Sequence, residues 1–557
     1  MTNKELANLI FPNITKTVDD YEKMYPMRNL KDGAIVTRYA PSPTGFIHIG
    51  ALLASFTGST FARQTDGVFY LRIEDTDTKR TIDNGISEII NGLREFSVTF
   101  DEGPINENEE IGNYGPYVQS QRREIYQAFA KHLIEEGKAY PCFCSEEEIS
   151  EIRKNQERNK GRIGYYGRYA KCRDLSNEER AKRIKNNEPF IIRLRSNGDY
   201  NRKIICHDEI RGDIAFPEND LDIVINKKDG LPTYHFAHLV DDHLMRTTHV
   251  IRADEWISSL PLHYQLFQMF GFDIPKYAHI SPLAKIDEET GGVRKLSKRK
   301  DPECAMSYYH KLGIPYEAVR LYLATITSSG FEEWYLHNPD GKIEDYKFEF
   351  KKMSKSAGLF DLEKLNNISK NYISRLSASD LYDRVSMYLK QYDHDFYEIF
   401  VKDKEYSISI LNIERCQKKP RKDIGAYSDV KKEMWYMYDE LFTNLNYSFD
   451  KISDKEEIRN ILNTYISKYY NESDDKDTWF NRIKDICAPC GCTPNVKEYK
   501  KNPDDFKGHV GDVSTIIRVA LTGRTNTPDL FSITALLGEE RVKERFNNAL
   551  EYYKENR

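Results

Sequence analysis

The strongest constraint on this chain lies near its start, where strand and helix signals alternate. "AIVTRYA" reads as a strand, "PSPTGFIHIG" as a loop, "ALLASFTGSTFARQTDG" as a helix closed by Gly67, and "VFYLRI" as the next strand. Ile82, Ile86, Ile89, Leu93 and Phe96 follow at helical spacing. A β-α-β crossover is right-handed and joins parallel strands, so these residues commit the chain to a doubly wound sheet. Such sheets bind ligands beyond the carboxyl ends of their strands.

Strand signals resume at "LDIVIN", "THVIRA" and "HISPLAKI", with the helix "SSLPLHYQLFQMF" between the last two. The stretch between, from about Asp101 to Asp222, is less regular; Ser145 and Glu148 form a capping-box pattern inside it. A sheet interrupted and resumed implies one nucleotide-binding domain carrying an insertion. Beyond about Lys370 the strand pattern fades. Leu381, Val385, Tyr388 and Leu389 keep helical spacing, as do Ile458, Ile461, Leu462, Tyr465 and Tyr469, so the C-terminal third is expected to be all-helical. In the first 32 residues Ile14, Val18, Tyr21 and Tyr25 show a helical pattern.

At 557 residues the chain can bury several cores, and three or four domains are expected. No apolar run reaches the length of a membrane span, and Lys4 and Glu5 stand where a signal peptide would begin its apolar core; a cytoplasmic location is expected. The net charge of -6 does not announce a nucleic-acid binder, but phosphate contact depends on where Lys and Arg cluster. Nine cysteines in so long a chain do not suggest a disulfide framework.

"PSPTGFIHIG" leaves the first strand for a helix, whose exposed N–H groups attract phosphate. Gly45 and Gly50 let the backbone come close, and His48 adds a donor. Alone this could be a Pro-rich turn with a solvent histidine. In the order "RYAPSPTGFIHIG", "RIEDTD", "DGLPTYHFA", "THVIRADEW" and "KLSKR", however, the sequence resembles the bacterial type of class I glutamyl-tRNA synthetase from about Arg38 to Ile373, and more weakly beyond.

The resemblance implies a Rossmann-type catalytic domain with an inserted acceptor-binding subdomain and an all-α anticodon-binding region. Expected boundaries are 1–32 (helical extension), 33–130 and 223–310 (catalytic halves), 131–222 (insertion), 311–372 (stem-contact helices) and 373–557 (anticodon binding). It also implies ATP with Mg2+, L-glutamate and tRNA(Glu) as partners, with charging of tRNA(Gln) open, and a monomer that binds no membrane. His48 and Lys298 would stabilise the reacting phosphate, with Gly45, Gly50 and Lys295 on the nucleotide. Arg38, Ser42, Glu74, Tyr234 and Arg252 would surround glutamate. His238 would join them, where this family commonly has Asn.

Two segments compete for the triphosphate. "KMSKS" at 352–356 has the consensus spelling, whereas "KLSKRK" at 295–300 follows a sheet strand and the paired Gly291 and Gly292. The second is expected to grip the nucleotide, because the chain is read as having left the sheet before 352. Asp361 and the Phe360–Leu365 spacing explain the first as the start of a helix.

Cys142, Cys144, Cys172 and Asp174 match the CxC…CxH layout of a zinc site found in some family members, with Asp in place of His; uncoordinated thiols are the alternative. "CAPCGC" at 487–492 continues a helical face and reads as buried small hydrophobes. Arg415, Lys418 and Lys419 lie in a basic run suited to RNA, and Trp256 is expected at the tRNA end by analogy. Rival readings are a glutaminyl enzyme, opposed by the helical C-terminus; a truncated relative that glutamylates a tRNA base, opposed by the length; and an inactive RNA-binding paralog, opposed by His48, Gly50, Lys295 and Lys298.

Overall fold

A computed structural model of the chain describes all residues except 44–46, 78–81, 298, 444, 446, 448–453 and 556–557, and no side chain from 553 onward. The chain divides into two compact units, Met1–Tyr308 with Arg320–Asp361, and Tyr309–Val319 with Leu362–Arg557.

In the first unit, strands Val36–Tyr39 and Val68–Leu71 pair in parallel, and helix Ile49–Arg63 is their crossover. Thr248 donates its N–H to Val36 O at 2.9 Å, which starts strand His249–Ala253 on the other side of the first strand. Lys276–Ile280 pairs parallel to that strand. The chain thus departs from Val36–Tyr39 in both directions, and a crevice forms at the carboxyl ends where the order reverses. The crossover helix stops at Arg63, and the left-handed residue after it is Asp66 (φ 52°), not Gly67. Gly67 is needed for a different reason: a Cβ there would sit 2.0 Å from Ile35 O.

Part of the segment read as the insertion belongs to this sheet. The hairpin Lys203–Asp208 and Gly212–Pro217 adds to the far edge of Lys276–Ile280. The rest contributes Ala139–Cys142 and Ile191–Leu194 to a separate sheet that Val224–Asn226 completes, so the "LDIVIN" strand joins the insertion and does not resume the catalytic sheet. Helix Glu146–Arg158 beside it starts with the expected capping box between Ser145 and Glu148. "HISPLAKI" is two strands, Lys276–Ile280 and Leu283–Ile286, broken at Pro282, which has no N–H to give a ladder.

The N-terminal residues form two short helices, Asn3–Ile10 and Val18–Met24, joined through buried Ile14. Leu6, Ala7, Val18 and Tyr21 enter the same core as Phe129 and Leu133. Arg28 then grips Glu102 with two hydrogen bonds of 2.7 and 2.8 Å. This extension is therefore part of the first unit's core rather than a tail.

The second unit is helical, and among the described residues no strand follows Gly358–Leu359. Helices Ala378–Tyr392, Lys455–Thr464, Lys476–Cys487, Val510–Thr522 and Leu530–Glu555 share one core, the last kinked at Gly538 (φ 74°). Cys487, Cys490 and Cys492 lie inside it, and burial pushes the Cys487 thiol up to about 11 and the Cys492 thiol up to about 12. They are inert filling, as the helical spacing implies.

Candidate active site

The crevice in the first unit opens into a cavity of about 1100 Å³. His48 stands at its floor as the N-cap of helix Ile49–Arg63, its Nδ1 accepting the Ala51 N–H at 3.2 Å. That bond fixes the neutral tautomer, with the proton on Nε2. A Cβ at Gly50 would press on the His48 ring at 3.2 Å, so glycine there keeps the imidazole in place. Ser42, Glu74, Tyr234 and Trp256 also line the cavity, as do Arg38, Arg252 and Lys295. Gly45 and Lys298 lie outside the described residues.

Behind the wall is a buried charge network. Two adjacent aspartates of helix Tyr234–Leu244 are its hubs. Asp242 takes Arg38 through two bonds of 2.9 and 3.2 Å and Arg72 at 2.8 Å; Asp241 takes Arg122 at 2.7 Å, Gln119 at 2.8 Å and the Tyr126 hydroxyl at 2.8 Å. Burial opposes ionisation of Asp242, but Arg38 and Arg72 outweigh it and hold the carboxyl well below its ordinary range. Glu74, held by Arg72 at 3.0 Å, shifts the other way because burial outweighs its arginine neighbours. The sequence reading missed these hubs, although a charged pair inside the apolar "HLVDDHL" was a usable signal.

Arg252 differs from Arg38. It is buried, yet among the described residues it has no carboxylate partner. Its donors meet neutral groups: His279 Nε2 at 3.0 Å, His263 Nδ1 at 3.2 Å, Tyr234 Oη at 3.3 Å and Trp256 O at 3.4 Å. A buried guanidinium at a cavity wall without a counter-ion has charge left for an anionic ligand to meet. His238 does not line the cavity: it is fully buried behind Tyr234, with Nδ1 2.5 Å from Asp242 and Nε2 3.0 Å from the Tyr277 hydroxyl. Burial pulls its pKa down to about 3, so the ring is neutral and acts within the wall.

The two lysine segments flank opposite edges of one short strand, Leu283–Ile286. Lys295 ends strand Val293–Lys295, antiparallel to Leu283–Ile286, and its ammonium reaches Glu255 at 2.5 Å on the cavity rim. Arg294 clamps this loop between Asp287 at 2.8 Å and Asp301 at 2.6 and 2.8 Å. The chain has left the catalytic sheet by residue 352, as expected; Gly358–Leu359 instead joins Leu283–Ala284 as the third strand of a small separate sheet, on the side opposite Val293–Lys295. Among the described lining residues none comes from 351–356. Lys352 instead pairs with Glu349 at 2.8 Å, and the carbonyls of Ser354 and Lys355 are held by Ser281 and Arg211 at 3.2 and 3.0 Å.

Away from the cavity, Cys142, Cys144 and Cys172 converge so that their sulfurs all lie within 4.8 Å of one another, with Cys144 and Cys172 at 3.7 Å. Tetrahedral zinc sets thiolate sulfurs about 3.8 Å apart, so the trio fits the metal. Hydrogen bonds with Cys144 and Cys172 pull the Cys142 thiol strongly down, while those with Cys142 and Cys172 drive the Cys144 thiol up. Asp174 does not join them. Its side chain is 87% exposed and turned to Arg195 at 3.5 Å, while the Tyr165 hydroxyl touches Cys142 and Cys144 at 3.4 and 3.3 Å.

Of the expected RNA contacts, Lys418 and Lys419 are exposed, but Arg415 is buried. Its guanidinium is spent on the carbonyls of Leu411, Ile373 and Leu376 at 3.0, 2.6 and 3.2 Å, at and just beyond two helix ends whose last carbonyls lack intrahelical partners. Arg415 is thus unavailable to a phosphate.

Comparison with known proteins agrees with this architecture. Residues 34–367 match the family described as tRNA synthetases class I (E and Q), catalytic domain, and residues 498–550 match an anticodon binding domain. The chain is 48% identical over 553 residues to a glutamate–tRNA ligase of Clostridium perfringens, covering 99% of this chain and 100% of the relative. It is 48% identical over 551 residues to that of Acetivibrio thermocellus, covering 99% and 100%. Among solved structures, a glutamate tRNA ligase from Elizabethkingia meningosepticum in complex with its amino acid superposes with a TM-score of 0.74 at 26% identity, over 93% of this chain and 99% of that one. A parallel sheet with a phosphate-ready helix start, a lysine loop on its rim and a helical second unit meet in one chain, which belongs to the class I tRNA synthetases and, within them, to the glutamate–tRNA ligases.

Proposed function

We propose that the cavity activates L-glutamate with ATP and then passes the glutamyl group to the 3′ end of tRNA(Glu). The glutamate α-carboxylate attacks the α-phosphorus and the bond to pyrophosphate breaks; a ribose hydroxyl of the tRNA then takes the acyl group and AMP leaves. Positioning and charge stabilisation carry such phosphoryl chemistry. His48, with its Nε2 proton, and the start of helix Ile49–Arg63 offer donors to the phosphates, Gly45 and Gly50 give them room, and Lys295 and Lys298 bring positive charge from the rim. Mg2+ bound to the nucleotide would neutralise further phosphate charge.

The observation that carries the reading is Arg252, the buried cation in the cavity wall whose described partners are all neutral. We assign it the side-chain carboxylate of glutamate, with Tyr234 and Ser42 beside it and Glu74 toward the ammonium group. Arg38, already satisfied by Asp242, serves as a fixed positive wall. His238 supports the pocket through Asp242 and Tyr277.

Zinc held by Cys142, Cys144 and Cys172, with Tyr165 rather than Asp174 nearest the fourth position, would lock the insertion's fold. Trp256 at the cavity edge and the exposed Lys418 and Lys419 are the proposed tRNA contacts, and the enzyme is proposed to act as a cytoplasmic monomer. Domain roles follow: acceptor binding by 131–222, stem contact by 311–372 and anticodon binding by 373–557, with the hairpin 203–217 shared with the catalytic sheet. Aminoacylation of purified tRNA(Glu) and tRNA(Gln) with each of the two amino acids tests the reading. Glutamate on tRNA(Glu) is the expected product, and charging of tRNA(Gln) defines the discrimination; no acylation of either tRNA would refute it.

A further inference from the structure

Three neighbouring strands of the catalytic sheet bring one residue each into contact, the third set diagonally because Asp208 pairs with Tyr277. Arg252 of His249–Ala253 stands directly opposite His279 of Lys276–Ile280, and Asp208 ends the next strand, Lys203–Asp208. Asp208 and His279 are both fully buried. Arg252 Nε can only donate, so His279 Nε2, 3.0 Å away, must be the bare nitrogen. The His279 proton is therefore on Nδ1, 2.7 Å from Asp208 Oδ2. Asp208 is itself fixed by the backbone N–H groups of Ile210, Arg211 and His279, at 3.1, 2.9 and 3.0 Å. These bonds and its hydrogen bond with His279 outweigh burial and keep the carboxyl below its ordinary range.

We infer that Asp208 and His279 form a relay that aims the Arg252 guanidinium at the glutamate side chain without consuming its charge. The geometry explains why a ring is interposed. Asp242 meets Arg38 directly, so a carboxylate already lies on two of its nitrogens. Asp208 acts on Arg252 through one neutral imidazole, so only Nε is engaged by the relay and both terminal nitrogens face neutral partners that a ligand carboxylate can outcompete. Rotation about the last side-chain bonds is arrested while the charge stays open to the cavity, which is the arrangement a preorganised anion receptor requires. Asp208 and His279 are thus positioning residues for amino-acid selection, and the assignment rests on the reading of Arg252 given above.

The test uses the full-length enzyme, measuring KM for glutamate, KM for ATP and kcat in aminoacylation, with melting temperature alongside. His279→Leu removes the acceptor, and KM for glutamate is expected to rise about tenfold or more with KM for ATP unchanged. His279→Gln, whose amide oxygen can accept from Arg252 while its NH2 group donates toward Asp208, is expected to recover most of the loss. Asp208→Asn, which keeps the shape and removes the charge, gives a smaller rise in the same parameter and serves if His279→Leu does not fold. A folded His279→Leu enzyme with an unchanged KM for glutamate would overturn the relay. So would a parallel rise in both KM values with a lowered melting temperature that Gln fails to reverse. Arg252→Lys separates the two readings: if it raises KM for glutamate while His279→Leu does not, only the relay falls; if it leaves KM for glutamate unchanged, the role of Arg252 itself is wrong.

Discussion

Arg252 in the first unit and Arg415 in the second are both buried arginines without a carboxylate partner among the described residues, and they do opposite things. Arg415 ends on three backbone carbonyls of its own helical unit, and burial with the nearby Arg421 pulls its pKa down to about 10. Arg252 ends on two imidazoles, a phenol and one carbonyl, at the wall of a cavity. The difference teaches how to read a buried cation. Where peptide oxygens saturate the fork, the residue holds helices together; where neutral partners leave it at the wall of a cavity, its charge is available to an anion, the role proposed above for Arg252.

The largest effect that would sharpen this contrast is on activity. Arg252→Ala is expected to lower kcat/KM for glutamate by about 10³-fold, because the ligand carboxylate is buried against nothing. If Arg252 held the α-carboxylate instead, the residual activation of glutamine would fall by the same factor as that of glutamate, and comparing the two amino acids decides between them. Next, Lys295→Ala should cost about 10²-fold in kcat with ATP saturating, while Lys355→Ala, whose carbonyl is held by Arg211 and whose side chain is not among the described cavity lining, stays near wild type. The reverse ranking would move the nucleotide loop to the consensus spelling.

Stability effects come below these. Removing zinc by chelator, or making Cys172→Ser, is expected to abolish one equivalent of zinc by elemental analysis and to destabilise the protein by about 3 kcal/mol, whereas Asp174→Ala leaves the metal bound. Arg415→Ala should lower stability by about 2 kcal/mol through orphaned carbonyls, with KM for glutamate unaltered; a change in KM without a change in melting would break the comparison drawn here. The last, no larger, is a pH effect. His238 titrates near 3 when folded against about 6.5 unfolded, so the unfolded chain binds the extra proton below pH 6.5. Stability contributed by the neutral ring is present above that pH and lost as the pH falls toward 3, by roughly 2 kcal/mol at pH 5. His238→Asn should flatten the fall in melting temperature between pH 7 and 5, and an unchanged slope would assign that fall to other groups.

Much of the fold was legible because its signals are local. The β-α-β start, the capping box at Ser145 and Glu148, and the helical faces of the second unit each follow from spacing within a few residues. The site was legible in outline, since His48, Arg38, Glu74, Tyr234, Arg252 and Lys295 do line one cavity. The errors fall where a residue's role depends on what lies across the fold. Arg415 sits in a basic run that looks solvated, but helix ends 39 and 42 residues away claim its donors. Asp174 has the right spacing for a ligand, yet its side chain points to Arg195 while Tyr165 meets the sulfurs.

By itself the sequence determined the order of elements, the reaction class and the residue types gathered at the crevice, since periodicity, caps and motif order are written in neighbouring residues. Only the tertiary structure decided which of those charged groups remain open to a ligand. That choice depends on partners such as Asp242 for Arg38, His279 for Arg252 and the Ile373 carbonyl for Arg415, which are remote in the chain. Burial makes each such pairing strong enough to assign a residue to the scaffold or to the substrate.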